Sequence, residues 1–102
     1  MSDVLKAAFM FVAPEADPLA HRQWVKTAHV HLLAVGVKDY TEAVKTAKAL
    51  VAEGIAAIEL CGGFGNRGTA MIVDAVGSKI PVGVVRFDIH PGLGNASGDT
   101  LF

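Results

Sequence analysis

The chain has 102 residues, of which 52% are hydrophobic and 19% charged, and its formal net charge is −1. That length suits one domain, and the charge balance leaves neither a basic field for nucleic acid nor a polybasic membrane anchor. The single cysteine excludes an internal disulfide and agrees with a reducing cytoplasm.

Residues 5–13 form an apolar run with one lysine, ended by Pro14, and predict a buried strand. The slightly longer "VLKAAFMFVA" is too short to cross a bilayer. With Asp3 before it and "PEADP" after it, it also makes a poor secretory leader. Asp17-Pro18 reads as an N-cap with proline at the first helical position, which predicts a short helix, "PLAHRQWVKT", with Leu19 and Trp24 inward. His21, Arg22 and Lys26 there make the one local basic patch.

"HVHLLAVGV", residues 29–37, predicts a second strand. His29 and His31 share a face at its start and read as exposed strand-end histidines rather than as a metal pair. Asp39 with Glu42 starts a helix in capping-box fashion, and Tyr40, Ala43, Val44, Ala47, Leu50 and Val51 recur at helical spacing up to Gly54. "IAAIELC" predicts the third strand, "TAMIVDAV" the third helix with Gly77 after it, and residues 81–88 the fourth strand. Residues 89–102 have no period and read as a glycine-rich loop or arm that could dock on a neighbour through Leu101 and Phe102.

Strands alternating with helices predict an α/β domain: a small, mostly parallel four-stranded sheet with helices packed on it and a C-terminal glycine-rich arm. A ferredoxin-like arrangement has two helices and leaves residues 17–24 unexplained. In the parallel scheme every strand-to-helix loop lies at one edge, which gathers "PEADP", "CGGFGNRG" and "RFDIHPG".

The densest glycine cluster opens the third helix. Gly63-Phe64-Gly65-Asn66-Arg67-Gly68 matches G-x-G-x-x-G, and Asp88 lies 20 residues beyond Gly68, as in a dinucleotide fingerprint. Only one βαβ unit follows the motif, however, and Arg67 inserts a bulky charge into it. A broader reading is a small-anion site: the backbone amides of Gly62, Gly63, Phe64 and Gly65 at a helix N-terminus, with Asn66 capping the helix or bonding the ligand and Arg67 as the countercharge. The competing reading is that the glycines serve a tight turn and close packing.

Cys61 precedes the same helix, a position that favours a reactive thiol, although lone cysteines in apolar runs are commonly buried hydrophobes. Glu59 alternates with Cys61 and needs a partner in so apolar a strand; Arg86 is the candidate, as a ligand-binding or a structural pair. Asp88 and His90 would complete an acid, base and nucleophile cluster with Cys61. Asp88 could equally cap the turn before Pro91.

"KAAFMFVAPEADPLAHR", "AIELCGGFGNRG" and "PVGVVRFDIHPGLGNASGD" together resemble an uncharacterised family of small single-domain bacterial proteins of about this length. The resemblance spans nearly the whole chain and implies no activity, cofactor or site residue. The expectation is therefore a cytoplasmic homo-oligomer that binds a small anionic or polar metabolite, with Cys61, Glu59, Asp88 and His90 available for acid–base or thiol chemistry. A non-catalytic sensor and a purely structural oligomer remain open. The residues name no cofactor, and neither nucleic acid nor membrane is an expected partner.

Overall fold

The apolar runs pair into one sheet. A computed structural model describes residues 3–102. It contains five strands, β1 (Leu5–Val12), β2 (Arg22–Lys26), β3 (Val30–Val37), β4 (Ala57–Leu60) and β5 (Val82–Val84), and two helices, α1 (Tyr40–Ala52) and α2 (Asn66–Val76). The sheet order is β2-β3-β1-β4-β5. β3, β1, β4 and β5 run parallel, and β2 pairs antiparallel with β3 at one edge. The fold is thus α/β, but its sheet is mixed and five-stranded rather than four-stranded.

The extra strand replaces the helix expected over residues 18–27. Asp17 does cap a turn, its carboxylate accepting the Leu19 N–H at 2.9 Å while its own N–H donates to His21 Nδ1 at 2.9 Å. The turn stops there because residues 22–26 find an open edge on β3. Trp24 stands opposite Leu33 and Val25 opposite Leu32. Arg22 and Lys26 keep this edge charged, which discourages further strand addition. Arg22 is held by the Pro18 carbonyl at 2.7 Å and reaches Glu53 at 3.8 Å, so the basic patch is partly neutralised.

α1 begins where predicted: the Asp39 carboxylate accepts the Glu42 N–H at 2.8 Å. It ends at Ala52, with Glu53 as its C-cap and Gly54 next in a left-handed conformation (φ 98°). Both helices lie on one face of the sheet. There Met10, Leu33, Val35, Ile58 and Leu60 meet Ala43, Ala47, Leu50 and Ile72 in the core. Among the described residues the other face has no helix layer.

The last strand is shorter than the predicted 81–88, because β5 ends at Val84 and only the Val85 N–H, donating to the Leu60 carbonyl at 2.9 Å, extends the ladder. The C-terminal arm is also not free. Two single 3-10 turns, Pro91–Leu93 and Gly98–Thr100, fold it back against the start of α2. Phe102 packs on the core, 6.3 Å from the Tyr40 ring, while Leu101 is exposed. No helix among the described residues is long and apolar enough to cross a membrane.

Candidate functional site

The glycine loop runs from the end of β4 into α2, at the carboxyl edge of the parallel strands. α2 starts at Asn66, three residues before the predicted helix, and its first turn contains no acid of its own. An acid comes instead from the far end of the chain. One Asp99 oxygen accepts the Arg67 N–H at 2.9 Å and the other accepts the Gly68 N–H at 3.0 Å. The Arg67 guanidinium donates to the Asp99 backbone carbonyl at 3.3 Å. The free amides and positive dipole end that the sequence suggests for an anion therefore hold a carboxylate supplied by the same chain.

Tyr40, the first residue of α1, locks this arrangement from below. Its hydroxyl accepts the Gly65 N–H at 3.0 Å and lies 3.1 Å from Asp99 Oδ1 and 3.2 Å from the Gly63 carbonyl, the two acceptors for its single proton. The ring stacks on Phe64 at 5.4 Å. Burial pushes the phenol up to about 12, helped by the neighbouring Asp99 and opposed by the Gly65 N–H. Burial also works against charge on Asp99. The Arg67 and Gly68 N–H groups, the Tyr40 hydroxyl and the Arg67 charge outweigh it and hold the carboxyl below its usual value.

Two glycines are required by this fit. A Cβ at Gly65 would run into the Asp99 carboxylate, and a Cβ at Gly98 would run into the Gly63 carbonyl oxygen. The close approach that the glycine cluster signals is, at these two positions, an approach of the chain to itself.

A cleft of about 120 Å³ opens beside this plug, lined by Phe64, Gly65, Asn66, Thr69, Val84, Arg86 and Phe87. Arg86 does not pair with Glu59. Its Nε and Nη2 donate to Asp88 Oδ1 at 3.1 and 2.8 Å, and Nη1 donates to Asn66 Oδ1 at 2.9 Å. Three of its five N–H groups are engaged, leaving two available. Glu59 stands exposed on the bare face of the sheet.

Cys61 sits just past β4 with its sulfur in the gap between β1 and β4, accepting the Val12 N–H at 3.5 Å and the Gly63 N–H at 3.3 Å. His90 is close by, since its ring borders Gly62 and lies 4.7 Å from that of Phe87. Its Nδ1 accepts the Gly92 N–H at 3.0 Å, so it caps the turn that follows. The structure brings Phe64, Gly65, Asn66 and Arg86 to one cleft, with Asp88 bonded to Arg86. Cys61 and His90 lie beside that loop, and among the described residues no hydrogen bond joins Cys61, Asp88 and His90. "CGGFGNRG" and "RFDIHPG" meet as expected, whereas "PEADP" turns aside, with Ala16 against Gly36. Among the described residues no cluster of His, Cys, Asp or Glu could hold a metal ion.

The sequence profile of a family of unknown function, DUF6506, matches residues 5–100. The chain belongs to that family. The match takes in all five strands, both helices and Asp99, so the plug and the cleft lie inside the family's own span. No curated protein and no solved structure matches the chain.

Proposed function

We propose that this cytoplasmic, self-associating protein binds a small anionic or polar metabolite in the cleft between the first turn of α2 and the segment after β5. The observation that carries the reading is Arg86. Its guanidinium is braced by Asn66 and Asp88 at a cleft walled by Phe64, Val84 and Phe87, with two N–H groups uncommitted. An oriented, partly satisfied arginine over apolar walls is the pattern of a small site in which one polar group fixes the ligand. The room suits a ligand of a few heavy atoms, or the anionic end of a larger one. Asp99 at the amides of Arg67 and Gly68 argues against seating a diphosphate there, so the dinucleotide reading is set aside. Cys61 and His90 flank the loop and are the groups available for chemistry on a ligand that extends past Gly62.

Thermal unfolding against inorganic phosphate, acetate, citrate and nucleotides tests the reading. A binding probe at 100 times its Kd should stabilise the protein by about 2.7 kcal/mol. The shift should vanish in Arg86→Ala, survive in Cys61→Ser, and survive in Arg67→Ala once that variant's own baseline is subtracted. No shift with any probe, or an equal shift in Arg86→Ala, would overturn it.

A further inference from the structure

We propose that the bare face of the sheet seats a second copy of this chain, packed sheet against sheet about a two-fold axis that runs along β1. The proposal extends the self-association named above by assigning it a surface.

Strand alternation sends Phe9, Phe11, Val25, Val30, Leu32 and Glu59 to the face opposite the helices. Val25 is 59% exposed and Val30 37%, Phe9 and Leu32 are half-buried among their sheet neighbours, and Phe11 is half-buried beside Ala16 and His21 of the loop that follows β1. Glu59 is the one charged side chain that the five strands place on this face. Five strands at about 4.8 Å spacing, the longest about 25 Å, give a footprint on the order of 500 Å² in projection. Side-chain relief raises the accessible area toward the roughly 800 Å² per partner of a standard stable interface.

The occupant is argued from the register. Gln23, Ala34, Phe9, Glu59 and Gly83 form one row across the sheet, with Phe9 in the central strand. Rotation about β1 keeps the row at its own level and reverses its order. Phe9 then meets Phe9 of the partner subunit, and Glu59 lies over Ala34 of the partner subunit. That small residue leaves room for the carboxylate, and Gln23 of the partner subunit, one strand further out, offers amide N–H donors. The lone acid therefore never faces its own copy. One row along, exposed Val85 comes over the end of β2, where Phe11, Ala20, His21 and Ala34 line a shallow hollow. The face is thus self-complementary, as an isologous interface demands.

Sedimentation equilibrium of the full chain should show a dimer in the micromolar range. Phe9→Glu puts two acids at the axis, and Val25→Lys charges an already exposed rim position. Each should weaken the dimer at least tenfold with an unchanged far-UV spectrum. In a Cys61→Ser background, Phe9→Cys should cross-link between copies with a short bismaleimide, while Val73→Cys on α2 should not. A monomer at all concentrations, a dimer indifferent to both charge variants, or no cross-link through position 9 would overturn the proposal. A monomer would also remove assembly from the proposed function and leave its Arg86 test untouched. A dimer through another face would sink only this inference.

Discussion

Asp99 and Tyr40 form a hydrogen-bonded pair that ties the C-terminal segment to the starts of α1 and α2, and its strength is open to titration. The unfolded chain would bind a proton at Asp99 near pH 3.9. The folded chain holds that carboxyl lower, so the unfolded state takes up protons first as the solution is acidified. The stabilisation from Asp99 is therefore fully present above about pH 5 and is lost as pH falls through the folded value. Asp99→Asn should unfold at lower temperature than wild type at pH 7, and the gap should narrow as pH falls below about 4, through the lowered folded-state value. A gap independent of pH would show that the charge is not what matters. Asp99→Ala should cost about 1–2 kcal/mol, the range for losing a helix N-terminal cap. Tyr40→Phe leaves the buried Gly65 N–H without its partner, which costs about 1–3 kcal/mol. Because the two side chains touch, the double variant should lose less than the sum of the singles, by 0.5 kcal/mol or more on the usual coupling scale.

The elements divide by how local their causes are. α1 was legible because its cap, its period and its terminal glycine all lie within its own stretch of chain. β1 and β3 were legible as long apolar runs. β2 was not, because five residues with Trp24 and Val25 at their centre fit a helix turn as well as a strand. The decision came from the unfilled edge of β3, a partner that the local pattern cannot contain. β5 was overextended for the converse reason: Val85, Phe87 and Ile89 keep an apolar alternation, yet past Val84 the chain has no neighbouring strand to pair with. The candidate site was half visible. The loop, its helix and Arg86 could be placed at one edge, but the acid at the amides comes from 32 residues away. A signal was present in "SGD". Ser97 accepts the Asp99 N–H at 3.2 Å and sets the turn, while Gly98 lets that turn lie against Gly63. Gly98→Ala should therefore lift the whole C-terminal segment off α2. We expect a loss of about 2 kcal/mol or more, matching removal of residues 97–102, and no further loss when the two are combined. Additive losses would mean that the segment stays docked without Gly98.

A sheet with helices on one face leaves the molecule with one finished side and one unfinished side. The consequence reaches the thermodynamics of the whole chain. Apolar surface on the bare face adds to stability only when something removes it from water, so a monomer gains nothing from Phe9, Leu32 and Val25 beyond their contacts with each other. If a second copy covers them, folding and association become one equilibrium, and the midpoint must depend on protein concentration. A tenfold rise in concentration is worth about 1.4 kcal/mol per dimer, or about 0.7 kcal/mol per chain. For a chain of this size that should raise Tm by about 3–5 °C. Wild type should show that slope between about 1 and 100 µM, and Phe9→Glu should show none over the same range. Arg86→Ala should keep the slope, because the cleft lies at the carboxyl edge of the sheet and not on its bare face. If wild type melts at one temperature across the range, the sheet face is not covered by its own copy. If Arg86→Ala flattens the slope, the ligand cleft and the interface are a single structure.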